Sequence, residues 1–207
     1  MSDKEPAVKP SSATPARRTQ SERRAATRGA LVAAARALFA ERGFAGVSRE
    51  EIVERAGVTR GAMYHYFASK EDLFRAVYEE VERDLCEAIA VAAMTAGDDP
   101  VEELRLGSVE FLRSATRGEV RRIAVLDSPA VLDAETRNAV AEQYGLGMLR
   151  AALAAVDGAG RLAAGPADQL APMLMAVLHE AATQIADGAD PATTIGLVEA
   201  LLERITT

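Results

Sequence analysis

Apolar residues recur at helical spacing along nearly the whole chain. Leu31, Ala34, Ala35, Leu38 and Phe39 fall on one stripe of a helix whose signals begin near Ser21, and Gly43 follows where a C-terminal glycine cap belongs. In "VSREEI", Ser48 and Glu51 have the spacing of a capping box, and Val47 with Ile52 that of a hydrophobic staple. A short second helix carries Ile52, Val53 and Ala56 and stops at Gly57. Thr59 can cap a third helix running to Tyr66 or Phe67, and "ASKEDL" repeats the start signal with Ser69 and Asp72. A long fourth helix follows, with Leu73, Val77, Val81, Leu85 and Ile89 on one stripe and Phe74 and Tyr78 beside it. Two short helices joined by a glycine turn behind a longer one make a helix-turn-helix unit.

Further helices are expected near 100–116, 119–126, 134–156, 167–187 and 191–206, with "DSPAV" and "DGAGRLAAGPAD" as breaks. In 100–116, Pro100 takes the first helical position after Asp99. The class is all-α. Residues 1–20 are rich in Pro, Ser, Thr, Ala and charge without periodicity, and are expected to be a disordered tail. The expected division is 21–70 for the helix-turn-helix domain and 71–207 for a larger helical domain.

Composition sharpens this picture. Hydrophobic residues make up 49% of the 207 positions, Trp is absent, and Ala, Leu, Glu and Arg dominate, all consistent with helix around a sizeable core. No segment approaches the ~18 uninterrupted apolar residues of a membrane span. The N-terminus lacks the apolar core of a secretory signal, so the cytoplasm is the expected location. The lone Cys86 excludes an internal disulfide; packing is its expected role and redox sensing the alternative. The net charge of −7 hides an asymmetry: residues 1–70 hold 13 Lys and Arg against 7 Asp and Glu, net +6, whereas residues 71–207 hold 11 against 24, net −13. A basic front and an acidic rear suggest different partners.

The third helix carries the chemistry. Tyr64, His65, Tyr66 and Phe67 are consecutive, and at about 100° per residue they point most of the way around the axis. Met63 and Phe67 share the core face, Gly61, Ala62 and His65 lie opposite, and Tyr64 and Tyr66 flank them. Small residues allow a helix to approach base edges, while Tyr, His and backbone N–H groups reach phosphates. Arg60, at the N-terminal end, suits guanine or phosphate. Thr59 and Ser69 open helices whose N-termini favour phosphates, with Lys70 beside the second and Ser48 and Arg49 opening the second helix. The set expected to contact DNA is Ser48, Arg49, Thr59, Arg60, Gly61, Ala62, Tyr64, His65, Tyr66 and Lys70. The alternative is a helical interaction module whose front domain binds a protein.

"LFAERGFAGVSREEIVERAGVTRGAMYHYFASKEDLFRAVYE" resembles the N-terminal domain of the TetR family of transcriptional repressors, over roughly residues 25–80. The resemblance implies a ligand-responsive regulator, a repressor, that binds a palindromic operator as a homodimer. It also implies that the last two helices form the dimer interface, and that a small-molecule effector occupies a C-terminal cavity. Met173, Leu174, Val177, Leu178, Ala181 and Ile185 stripe the first of those helices, and Ile195, Val198, Leu201, Leu202 and Ile205 the second. An intrachain core is the alternative use of these stripes.

The expected cavity is mainly aliphatic, because only Phe111 and Tyr144 of the nine aromatics lie beyond the fourth helix. Its candidate residues are Phe111, Arg122, Asp127, Tyr144, Met148 and His179, with Gln143 and Gln184 as further polar groups and His179 expected to be partly interior. The expected route of switching is a small displacement of the fourth helix. Catalytic readings find little support: two distant histidines and one cysteine make no zinc cluster, and Walker, G-x-S-x-G and dinucleotide motifs are absent. "GAGRLAAG" follows no strand, and no cofactor is implied.

Overall fold

The computed structural model describes residues 19–207, and the tail expected over residues 1–20 lies outside them up to residue 18. Within them the chain is helical throughout, apart from an isolated bridge between Leu162 and Thr206. Helix α1 (Gln20–Arg42) begins where Thr19 and Glu22 form a reciprocal capping box, so the helix reaches into the stretch assigned to the tail. Helices α2 (Arg49–Ala56) and α4 (Lys70–Ala93) carry the capping boxes expected at Ser48/Glu51 and Ser69/Asp72. Helix α3 (Arg60–Tyr66) is capped by Thr59, whose hydroxyl accepts from the Ala62 N–H at 3.3 Å. Gly57 ends α2 with φ 64°, a left-handed conformation that costs glycine nothing.

Helix α5 (Pro100–Ser114) is capped by Asp99. Helix α6 runs through Gly118–Val120, a π-helical stretch Arg121–Asp127, and Ser128–Val131. Helix α7 likewise joins Ala134–Ala141, a π stretch Glu142–Leu146 and Gly147–Gly158. Helices α8 (Ala167–Ala186) and α9 (Pro191–Ile205) complete the chain. "DSPAV" is therefore not a break: the helix continues through Ser128–Val131 and stops at Leu132, whose backbone is extended, before Asp133 caps α7. Pro129 sits inside this continuous run, where it removes one N–H donor next to the π stretch, and the Ser128 hydroxyl donates to the Ala124 carbonyl at 2.6 Å.

Two cores organise these helices. The front core gathers α1, α2, α3 and the first half of α4 around Phe39, Phe44 and Phe74, whose ring centroids lie 5.3–5.7 Å apart. It also takes in Ile123 of α6, Leu132 from the link after it and Val140 of α7, so the front core extends beyond residue 70. The rear core packs α5, α7, α8 and α9 through Leu112, Leu153, Val156, Ala171, Leu174 and Leu202. Cys86 is buried, and desolvation pushes its thiol up to about 11, which suits packing rather than thiolate chemistry. Four large apolar side chains stay on the surface of the last two helices: Met173 and Val177 on α8, and Leu197 and Leu201 on α9.

Met63 and Phe67 are buried at 1% and 5% exposure, which fixes the inward face of α3. Replacing Phe67 with Ala is expected to lower unfolding free energy by about 3–5 kcal/mol through the cavity it leaves. Denaturant unfolding of Phe67→Ala against the parent measures this, and matching midpoints would place the ring on the surface.

Candidate nucleic-acid interface

The outward face of α3 is small at its centre and polar at its rims. Gly61, Tyr64 and His65 are exposed, while Ala62 and Tyr66 are half-buried. The Tyr66 ring packs edge-on to His65 at 5.0 Å and also reaches the front core, so it is partly a packing residue. Tyr64 is 47% exposed, with the Arg49 guanidinium 5.7 Å from its ring centroid. Hydrogen bonds with Arg60 and Arg49 hold the Tyr64 phenol below its ordinary pKa, so the hydroxyl sits between two cations. Arg60 also forms an ion pair with Glu50 at 2.8 Å on the open surface. Arg49, Arg60 and Tyr64 thus make one positively charged cluster joining the start of α2 to the start of α3, with Glu50 as its internal counterpart.

Three expected contact residues are committed elsewhere. The Ser48 hydroxyl is used in its capping box, accepting from the Glu51 N–H and donating to the Glu51 carboxylate at 2.7 Å. Thr59 is used in capping α3. Lys70 turns inward: its ammonium donates to the carbonyls of Phe44 and Val47, both at 2.8 Å, and lies 4.0 Å from the Phe44 ring centroid. Desolvation lowers its pKa. The expectation of Lys70 as a free phosphate contact is corrected by this geometry, because the ammonium is held by two backbone carbonyls of the turn and by the Phe44 ring.

The candidate effector residues also divide. Arg122 and Asp127 line neither of the two large cavities of the rear unit. Asp127 accepts from the Phe44 N–H at 2.7 Å and from Arg122 at 3.4 Å. The Arg122 guanidinium lies over Gly43, where a Cβ would stand 1.8 Å from it. Both residues therefore join α6 to the turn between α1 and α2. A second tie lies beside them: Arg36 of α1 binds Glu119 at 2.7 Å and Asp84 of α4 at 2.6 Å. Tyr144 packs against the front core and lines neither large cavity, and Gln143 and Gln184 are exposed.

Phe111, Met148 and His179 do line cavities. The larger, about 360 Å³, lies between α4, α5, α7 and α8 and is walled by Ile89, Ala90, Leu104, Phe111, Met148 and Met175. It is the aliphatic cavity that composition suggests. The smaller, about 240 Å³, is polar: Tyr78 and Glu82 of α4, Arg137 and Asn138 of α7, Ser128 of α6 and His179 of α8 face it. Phe111 borders both, its ring 5.6 Å from that of His179. His179 is more exposed than expected, although the surrounding protein density and the Arg137 charge lower its pKa. Glu82 is half-buried by surface area yet densely surrounded, and desolvation pushes its carboxyl up to about 7. Neither Glu82 nor Arg137 was singled out in the sequence. Glu82 lies three residues from Leu85 in the amphipathic α4, a position that sequence alone leaves on a solvated flank.

Two measurements follow from this geometry. Glu50→Gln frees the Arg60 guanidinium and is expected to tighten binding to any DNA duplex, because a phosphate then meets an uncommitted cation; fluorescence anisotropy on unrelated duplexes reads it, and unchanged affinity removes the cluster from the interface. For Glu82 the folded pKa lies above the model-peptide value of 4.5, so the stability associated with its neutral form is fully present below about 4.5 and is lost as pH rises through about 7. Glu82→Gln is therefore expected to gain melting temperature relative to the parent between about pH 4 and about pH 8. A constant difference across that window would show an unperturbed carboxyl.

Comparison with known proteins gives this arrangement its context. Residues 31–77 match "Bacterial regulatory proteins, tetR family", and residues 101–207 match "Tetracyclin repressor-like, C-terminal domain". The chain is 35% identical over 100 residues to the HTH-type transcriptional regulator CymR of Pseudomonas putida, a match covering 47% of this chain and 49% of CymR. It thus spans about half the length of that relative. A TetR-family transcriptional regulator from Pectobacterium atrosepticum superposes with a TM-score of 0.75 at 29% identity, covering 90% of this chain and 95% of the other. RolR in complex with resorcinol superposes with a TM-score of 0.73 at 25% identity, covering 90% of each chain. With its rear half matched from end to end and its helix-turn-helix matched in front, the chain belongs to the TetR family of transcriptional regulators.

Proposed function

We propose that the protein is a repressor that binds a palindromic operator as a homodimer in the cytoplasm and is released from it by a small-molecule effector. The observation that carries this reading is the exposed face of α3, where Gly61, Tyr64 and His65 stand beside the Arg49–Arg60 cluster while Met63 and Phe67 hold the helix to its core. DNA contacts are assigned to Arg49, Arg60, Gly61, Ala62, Tyr64, His65 and the rim of Tyr66, with the N-termini at Ser48 and Thr59 offering backbone N–H groups.

The exposed apolar residues of α8 and α9 support dimerisation through these helices. Met173 and Leu197 are 66% and 69% exposed and have Val177 and Leu201 one turn away, a stripe that a second copy would cover. The two cavities support an effector, and α6 supplies the link to DNA. Its Val120, Ala124, Val125 and Ser128 border the smaller cavity, while Glu119, Arg122 and Asp127 hold α1 and the turn after it. A ligand that shifts α6 therefore moves the front unit as well as α4. The relative RolR was seen with resorcinol, a small ligand of the size such cavities accept. An effector acts by binding the non-DNA-competent state more tightly, with coupling of about 1–3 kcal/mol, or some 5–150-fold in DNA affinity.

The test is binding to duplexes drawn from the DNA beside the protein's own gene. A high-affinity, two-fold symmetric site occupied by two subunits is expected, and binding to none of these duplexes above random DNA would favour a protein-binding front domain. Leu197→Glu with Val177→Glu is expected to convert the dimer to monomer in sedimentation velocity and to weaken operator binding sharply. Retention of the dimer by this double variant would move the interface elsewhere.

A further inference from the structure

The smaller cavity holds a charge without a partner. Among the described residues, Arg137 Nε is the buried side-chain nitrogen that has no hydrogen-bond partner. It belongs to a guanidinium that forms no ion pair there, although most other arginines of the rear unit, such as Arg105, Arg117, Arg150 and Arg161, are paired. Glu82 is the one carboxylate lining this cavity, and it supplies no hydrogen bond to Arg137 Nε. A guanidinium stays protonated at any accessible pH, so burial cannot relieve it by neutralisation. Its field reaches the groups around it, opposing the desolvation of the Tyr78 hydroxyl and disfavouring protonation of His179. The cavity is thus electropositive at one end. Its other walls, Phe111, Val120, Ala124 and Val125, are apolar.

We propose that the cavity takes a small organic carboxylate, whose carboxyl group is held by the Arg137 guanidinium and whose apolar body lies against Phe111 and the α6 wall. Planar fork geometry favours a carboxylate over a rounder anion, because two parallel N–H donors meet two oxygens. The volume of about 240 Å³ lies just below the range of drug-sized sites, which limits the body to a single ring or a short chain. Asn138 adds a neutral donor to the lining, while the Ser128 hydroxyl is spent on the Ala124 carbonyl, to which it donates at 2.6 Å. The inference rests on the proposed effector reading for its consequence, release of DNA, but not for the binding itself.

The experiment uses the full chain and three probes of one shape: benzoate, benzamide and benzylamine. Calorimetric titration of the free protein is expected to show benzoate binding, with benzamide and benzylamine weaker by about tenfold or more, since only the carboxylate makes the charged fork. Arg137→Gln is expected to bring benzoate down to the benzamide level, and Arg137→Lys, which keeps charge but loses the fork, to fall between. Equal binding of benzoate and benzamide, preference for benzylamine, or no heat from benzoate at millimolar concentration would each overturn the proposal. Should Arg137→Gln fail to fold, the three-probe comparison on the parent protein decides alone. Operator release is read separately by anisotropy. Benzoate that binds through Arg137 yet leaves the DNA complex intact would uphold the carboxylate site and refute the effector reading.

Discussion

Every polar and apolar part of Phe44 has a partner, and the arrangement of the two units depends on that residue. Its N–H donates to Asp127 of α6, its carbonyl accepts from Lys70 of α4, and its ring lies under the Lys70 ammonium and against Phe39 and Phe74. One residue in a turn thereby ties α1, α4 and α6 together. Gly43 beside it is favoured by its φ of 73°, and the absence of a Cβ there leaves room for the Arg122 guanidinium. The position of α2 and α3 relative to the rear unit is thus tied to hydrogen bonds of a half-buried backbone.

The front unit was largely legible in sequence because its signals are local. Capping boxes, the glycine at position 57 and the staple of Val47 and Ile52 act within a few residues, and all appear where their spacing puts them. The inward face of α3 followed from 100° per residue, and burial of Met63 and Phe67 agrees with it. The rear unit was less so. Two π stretches, Arg121–Asp127 and Glu142–Leu146, change the number of residues per turn, so a regular helical wheel loses register there. Arg122, Asp127 and Tyr144 all lie in those stretches, and none of the three borders either large cavity. Phe111, Met148 and His179 lie outside them and border the cavities. Lys70 was misread for another reason: the acceptors that capture it lie more than twenty residues earlier, across a turn whose path no local signal fixes.

The two cavities divide the chemistry of the rear unit. The larger is an aliphatic space between four helices. The smaller has a cation, a carboxyl with raised pKa, a phenol and an imidazole within one wall of side chains. Buried polar groups of this kind are retained at a cost in stability, which points to function when no structural partner absorbs them. The same α6 that borders this cavity holds the Phe44 turn, so chemistry at one end and geometry at the other share a single element.

The Arg60–Glu50 pair has a consequence for motion along DNA. On the operator-binding reading, the guanidinium always has an anion at hand, a carboxylate off the duplex and a phosphate on it. Transfer from one phosphate to the next then proceeds as an exchange of ligands, in which Glu50 enters as the old phosphate leaves. On that reading the exchange costs less than separating the guanidinium from every anion, since Glu50 stays beside it on the open surface. A carboxylate that weakens grip at any one position thus speeds the search among many.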